Sequence, residues 1–146
     1  MNKQLDNLAF LFFKLFAQYE SYLKDHGYFS TTKSGNIIVD WDRFVNENIG
    51  SDFIKQLGDN VDSADYILSN PPMRQVPDTN NRIIWKEVPN NDKSVQMLFS
   101  HISRIRNNLF HGAKLHGTWF DPNRSKKLLS NGLTVLNNFK GLVDIQ

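Results

Sequence analysis

The residues of this chain that are best suited to chemistry lie in one short stretch, RIRNNLFHG, from Arg104 to Gly112. An arginine guanidinium can bind a phosphate through two parallel hydrogen bonds, and Arg106 is placed to do so. A histidine can give and take protons near neutral pH, and His111 follows five residues later. Asn107, one helical turn before His111, can bond one ring nitrogen and leave the other for proton transfer. The segment therefore points to chemistry on a phosphate group.

Arg106 is expected among apolar side chains rather than on the solvent face of its helix. With Leu109 as the centre of the apolar seam and about 100° per residue, Arg106 lies roughly 60° away. A guanidinium in this setting needs an anion, because a buried unpaired charge is strongly destabilising. That anion is either an acidic side chain of the core, such as Asp6 or Asp65, or a phosphate held in a cleft. The sequence leaves both interpretations open.

His111 stands at the end of the predicted helix, where the helix dipole favours the charged imidazolium. A histidine poised between its two forms is a usable acid or base, but a surface histidine that caps the last carbonyls has the same position. On an ideal helix Arg106 and His111 point about 140° apart, so one phosphate cannot readily reach both. Either the helix distorts at its end, or two copies of it meet and pool their residues.

Positive charge is concentrated in the second part of the chain. Residues 94–146 contain seven Lys and Arg against two Asp and Glu, whereas residues 1–93 contain ten against thirteen. Such a basic region is typical of proteins that bind a polyanion, and a solvated basic face is the alternative. The residues that could bind it are Arg104, Lys114, His116, Arg124, Lys126 and Lys127. A polyanion is therefore the expected partner.

Three long amphipathic helices are predicted to position these residues. The first has apolar residues at helical spacing over residues 5–23, and its wide apolar arc suits a helix that is either central in a bundle or shared with a second subunit. A homodimer is expected. The motif helix is predicted from about residue 93 to residue 111. The last helix begins with Asp121 as N-cap and Pro122 at its first position.

The remaining elements are predicted to be short. Three short helices are expected between residues 40 and 69. Residues 70–92 contain four prolines and many Asn and Asp residues, which indicates a long irregular loop with RIIWKEV as a possible short strand. The expected architecture is a single all-α domain over residues 1–146. It is a helical bundle with two to three long helices, several short helices and the loop near 70–92.

The composition excludes several classes of site. There is no cysteine, which excludes disulfides and thiolate metal sites. No apolar run is long enough to span a bilayer and the first residues lack a signal-peptide pattern, so we expect a cytoplasmic protein without a membrane partner. A metal-dependent hydrolase that uses His101, His111 and His116 is a third interpretation, but no acidic residue accompanies them. We expect neither a metal nor another cofactor.

The residues RNNLFH, Arg106 to His111, resemble the RX4-6H motif of the HEPN superfamily. The resemblance is strengthened by the asparagine directly after the arginine and by the position at the end of a long amphipathic helix. HEPN domains are small all-α domains, and many are metal-independent ribonucleases of toxin–antitoxin or phage-defence systems that act as dimers. The resemblance implies that Arg106 binds the scissile phosphate, that His111 moves protons, and that Asn107 orients the site as a third catalytic residue.

The resemblance also implies partners and an alternative function. RNA, a second copy of the chain, and an antitoxin or defence-system protein are the implied partners. Ala113 stands where a tyrosine follows the histidine by two residues in the version paired with nucleotidyltransferase antitoxins, so the chain departs from that version. The alternative is a non-catalytic HEPN-like module that binds RNA, a nucleotide or a protein, in which His111 need not titrate.

Overall fold

The computed structural model describes residues 3–87, 91–110, 114–115, 118–119 and 121–146, with only the backbone given for residues 110, 114–115 and 118–119. The α-helices within these residues are α1 (Lys3–Asp25), α2 (Trp41–Asn48), α3 (Phe53–Leu57), α4 (Val61–Ser69), α5 (Val95–Phe110) and α6 (Pro122–Phe139). The strands are β1 (Phe29–Thr31), β2 (Ile37–Val39), β3 (Arg74–Pro77), β4 (Ile83–Lys86), β5 (Lys114–Leu115) and β6 (Thr118–Trp119). No helix in this part of the chain is long and apolar enough to cross a membrane.

Helix α1 forms because its apolar residues recur at helical spacing and neither proline nor glycine interrupts them. Its buried stripe packs mainly against α6, and the Tyr19 hydroxyl donates a hydrogen bond to the carbonyl of Leu136. The helix is closed by Gly27, whose φ is 82°, and by a hydrogen bond of 2.8 Å from the Tyr28 N–H to the Leu23 carbonyl. A glycine in this left-handed conformation is a common helix stop.

Capping side chains fix where α5 and α6 begin. The hydroxyl of Ser94 accepts a hydrogen bond from the Met97 N–H at 3.1 Å. Asp121 accepts one from the Arg124 N–H at 3.2 Å, and Pro122 is the first residue of α6, as the sequence predicted. The predicted motif helix is confirmed over residues 95–110, two residues later than its expected start near residue 93, because Ser94 caps it. Its expected end at residue 111 lies outside the described residues.

The hydrophobic core lies between the long helices and α2 and α4. The indole ring of Trp41 on α2 bridges α1 and α5, with centroid distances of 5.0 Å to Phe16 and 5.8 Å to Phe99. Helix α6 approaches α1 closely at Gly132, where an added Cβ would lie 2.8 Å from Cε2 of Phe12. This core holds α5, which carries the residues from Arg106 to Phe110 of the motif, from two sides.

The chain is mostly helical, as predicted, but the all-α description omits three antiparallel two-stranded ribbons. The segment predicted as an irregular loop near 70–92 contains the ribbon β3–β4. The possible strand RIIWKEV is confirmed over Ile83–Lys86, which form β4. Between the strands, Asp78 accepts hydrogen bonds from the N–H groups of Asn80 and Arg82 at 2.8 and 2.9 Å, and Asn81 has a φ of 61°. Asn and Asp favour such turns because their side chains bond nearby backbone groups.

Candidate functional site

Arg106 extends from α5 toward α1, where two side chains one helical turn apart meet it. Its Nη2 lies 3.6 Å from Oε1 of Glu20, and its guanidinium carbon lies 5.9 Å from the centre of the Phe16 ring. The predicted apolar surroundings are therefore present on one side. Within the described residues, the acidic partner of Arg106 is Glu20, whereas the sequence analysis suggested Asp6 or Asp65.

The contact with Glu20 leaves Arg106 accessible. The side chains of Arg106 and Glu20 are 30% and 22% exposed, and 3.6 Å is a long distance for a charge-assisted hydrogen bond. Ion pairs that reach solvent typically contribute about 0–1 kcal/mol to stability. Glu20 therefore restrains the guanidinium without enclosing it, since 30% of the Arg106 side chain remains exposed to solvent.

Asn107 is exposed, and its side-chain oxygen accepts a hydrogen bond of 3.1 Å from Nη1 of Arg106. The guanidinium is thus held by Glu20 through one terminal nitrogen and by Asn107 through the other. Asn107 supports Arg106 in this arrangement. Its predicted bond to His111 lies outside the described residues.

Other predicted site residues also fall outside the described part of the chain. His111 and His116 are not described, and Lys114 is described only through its backbone in β5. The predicted proton transfer by His111 and the predicted RNA contacts of Lys114 and His116 stay predictions.

Arg104 lies on the opposite flank of α5 from Arg106, since two residues on a helix differ by about 200°. Its side chain is half-buried, and within the described residues its Nη1 is buried without a hydrogen-bond partner. Burial and, after it, the positive charge of Arg74 lower the pKa of Arg104. An arginine still remains protonated at neutral pH. Arg104 is therefore a cation in surroundings that oppose its charge.

His101 lies one turn before Arg104 and is only 1% exposed. Burial, followed by the charge of Arg104, lowers the pKa of His101 to about 4, although Asp92 acts in the other direction. The ring is therefore neutral at pH 7. A buried histidine beside cations is poorly placed to bind a metal ion. The described residues contain no group of three or more His, Asp or Glu side chains that could hold one.

The ribbon β3–β4 adds two cations that the sequence analysis did not single out. Arg74 and Lys86 are directly opposite each other in the register of the two strands, and both are exposed. In the described part of the chain, neither forms an ion pair with a carboxylate. Lys86 could have been noticed as the cation that follows IIW in the predicted strand RIIWKEV. The position of Arg74 opposite it depends on the strand register, which the sequence does not indicate.

The predicted cations of α6 divide into two kinds. Arg124 is half-buried, and its Nη2 donates a hydrogen bond of 2.7 Å to the carbonyl of Pro71, so it ties α6 to the segment after α4. Lys126 and Lys127 are exposed and available to a polyanion. The basic cluster that the sequence analysis treated as one surface therefore combines one structural arginine with two exposed lysines.

A small cavity of about 60 Å³ lies between the β3–β4 ribbon and helices α5 and α6. It is bordered by the Asn108 side chain, which donates a hydrogen bond of 2.8 Å to the Met73 carbonyl. The other lining residues are Trp85, Asp121, Arg124, Ser125 and Leu128. Pockets for small organic ligands typically have at least about 300 Å³, so this cavity suits a few water molecules instead.

Comparison of the chain with protein-family models, with curated proteins and with solved structures found no significant match. The function is therefore argued from the residues and their geometry.

Proposed function

We propose that this chain is a metal-independent endoribonuclease of HEPN type, which folds as a HEPN-like helical bundle and works as a homodimer in the cytoplasm. The observation that supports the proposal is the setting of Arg106 near the end of α5. Its guanidinium is restrained by Glu20 and Asn107 and is still partly exposed to solvent. His111 follows five residues later. A toxin or phage-defence role, with an antitoxin or defence-system protein as partner, belongs to the same proposal.

The reaction that suits these residues is attack of an RNA 2′-oxygen on the adjacent phosphorus. The bond from phosphorus to the 5′-oxygen breaks, which gives a 2′,3′-cyclic phosphate and a 5′-hydroxyl. One proton leaves the 2′-hydroxyl and one reaches the departing 5′-oxygen. His111 serves as the proton carrier, and Arg106 stabilises the additional negative charge of the phosphorane by two donated hydrogen bonds. The chemistry then needs no metal ion.

A second copy of the chain would supply the other half of the site. Phe10, Leu11 and Phe13 on α1 are 66%, 54% and 40% exposed, although they are large apolar side chains. Phe13 lies two helical turns, about 10 Å, before Glu20 and on nearly the same side of the helix. A subunit that covers Phe13 therefore comes close to Arg106. Two copies would bring two histidines, so that one can accept a proton while the other donates one.

Replacement of Arg106 tests this function. We expect Arg106→Ala to lower kcat/KM for RNA cleavage by ~10²-fold or more, because it removes a donor to the developing charge. Arg106→Lys should recover only part of the activity, since an ammonium group lacks the planar fork. Circular dichroism should show both variants folded, because a partly exposed ion pair contributes little to stability.

A matched control is available on α2. Arg43 also pairs with a glutamate, Glu47, at 3.9 Å and also lies over an aromatic ring, that of Tyr28, at 4.7 Å. Arg43→Ala should therefore reproduce the loss of an ion pair and a ring contact without the loss of cleavage. Wild-type cleavage by Arg106→Ala, or an equal loss in the two alanine variants, would contradict the proposed role of Arg106.

A second candidate function is RNA binding without cleavage. It is favoured by the cations of β3–β4 and α5, because Arg74 and Arg104 need no proton carrier to bind phosphate. If purified protein binds RNA, and neither wild type nor His111→Ala cleaves it, this function replaces the first.

A further inference from the structure

The flank of α5 that faces away from Arg106 carries cations for which the described residues provide no ion-pair partner. Arg104 contributes a half-buried guanidinium. Arg74 on β3 directly follows Met73, whose carbonyl accepts a hydrogen bond of 2.8 Å from Asn108, one helical turn after Arg104. Lys86 is opposite Arg74 in the ribbon. Like charges directly opposite each other destabilise a strand pair. Arg74 is therefore repelled by the positive charges of both Lys86 and Arg104.

The carboxylates near this flank are Asp78, Glu87 and Asp92, and within the described residues none of them forms an ion pair with a cation of the flank. Asp78 lies in the turn of the ribbon, where its Oδ1 accepts hydrogen bonds from the N–H groups of Asn80 and Arg82. Burial and the charge of Arg74 both act against the charged form of Arg104. Such a group of cations gains stability when an anion lies between them.

We propose a second phosphate-binding site that consists of Arg74, Lys86 and Arg104. It binds the backbone of single-stranded RNA and takes no part in the cleavage step. Cations presented by a strand pair and by a neighbouring helix suit a chain of successive phosphates, and arginine binds phosphate with two hydrogen bonds. The identification of the polyanion as RNA rests on the proposed function. The site itself does not depend on Arg106 or His111.

The site makes the β3–β4 ribbon a substrate-binding element rather than a connection between helices. A variant that loses two phosphate contacts should show a weaker salt dependence of its affinity for single-stranded RNA. The slope of log affinity against log salt concentration should be less steep by about 1.4. The ribbon should contribute to KM and leave kcat unchanged, because it holds the substrate equally before and during the reaction.

The test is the double variant Arg74→Gln/Lys86→Gln with a fluorescently labelled single-stranded RNA in fluorescence polarisation at fixed salt. We expect binding about 10-fold weaker than wild type, together with the smaller salt slope. The melting temperature should not fall, because the substitution removes a like-charge pair. The matched control is Lys33→Gln/Lys55→Gln, which removes two exposed cations elsewhere and should change affinity less than twofold.

The outcomes separate this site from the cleavage proposal. If His111→Ala abolishes cleavage and retains RNA affinity, while the ribbon variant binds RNA more weakly, raises KM and retains kcat, both proposals are supported. If no variant cleaves RNA but the ribbon variant alone binds it weakly, the second site stands and the cleavage proposal fails. Equal affinity of the ribbon variant and wild type, or equal weakening in the control, overturns the site. Equal competition by pyrophosphate or by a polyglutamate peptide of the same charge overturns its assignment to RNA.

Discussion

At the residue scale, Arg106 is held by weak interactions from two sides. Glu20 reaches Nη2 from α1, and Asn107 accepts from Nη1 within α5. Neither interaction is buried deeply enough to be a major source of stability. Both restrict the orientation of the guanidinium, which matters for a group that must meet a phosphate in one geometry. A structural role for Arg106 and a binding role are therefore compatible.

His101 gives a prediction for stability against pH. Its pKa is about 4 in the folded chain, below the ordinary value of 6.5, so below pH 6.5 the unfolded chain binds the proton more readily. Stability associated with neutral His101 should therefore be complete above pH 6.5 and be lost as the pH falls toward 4. Urea unfolding at several pH values should show a loss on the order of 2 kcal/mol in this range.

Two substitutions separate this effect from other titrations. His101→Leu should remove most of the pH dependence between 6.5 and 4, whereas His26→Gln, at an exposed position, should leave it in place. A wild type and His101→Leu with the same pH dependence would show that the burial of His101 does not control acid stability.

At the element scale, the contact of α1 with α6 depends on Gly132. An added Cβ would lie 2.8 Å from the Phe12 ring, closer than side chains normally approach. We expect Gly132→Ala to destabilise the chain by about 1–2 kcal/mol, since overpacking outweighs the gain in helix propensity. Gly141→Ala, with nothing within 4 Å of the new Cβ, should be nearly neutral. Urea unfolding that shows Gly132→Ala as stable as wild type would mean that Phe12 moves aside freely.

The long helices could be predicted from the sequence because their signals are local. The helical spacing of apolar residues predicted α1, α5 and α6, and the pair Asp121–Pro122 predicted where α6 begins. The ribbon β3–β4 was predicted only in part. Its strands have four residues each and the segment contains several prolines, so alternation is too short to indicate a pair.

The candidate site could also be predicted only in part from the sequence. The arginine and asparagine of the motif are local features, but the partner of Arg106 depends on how α1 packs against α5. Glu20 is 86 positions away in the chain, and nothing in the sequence near Arg106 indicates it. Arg74 and Lys86 were missed for a similar reason, because a strand register sets their pairing.

At the scale of the whole molecule, the exposed apolar cluster of α1 is separate from two cations for which the described residues provide no ion-pair partner. The apolar residues Phe10, Leu11 and Phe13 are on α1, whereas the cations Arg74 and Arg104 are on β3 and α5. This separation fits a chain that binds a second copy through α1 and binds a polyanion through the flank of α5 that faces away from Arg106.

The homodimer is tested by Phe10→Ser/Phe13→Ser. A stable interface should bury at least ~1,000 Å² in total, and the loss of two large apolar side chains from its centre should give a monomer. Light scattering at micromolar concentration should show the wild type as a dimer and this variant as a monomer. The control Ile37→Ser/Ile38→Ser, at exposed apolar residues of β2, should remain a dimer. A monomeric wild type would contradict the dimer.

Cleavage of single-stranded RNA in the presence of EDTA, by wild type and by His111→Ala, is the most direct measurement of the proposed function. We expect the wild type to cleave with the chelator present and to leave 2′,3′-cyclic phosphate and 5′-hydroxyl ends. His111→Ala should be slower by ~10²-fold or more and keep its RNA affinity, because general acid–base groups contribute at least this much. Cleavage at the wild-type rate by His111→Ala, or its loss from the wild type when EDTA is added, would contradict the mechanism.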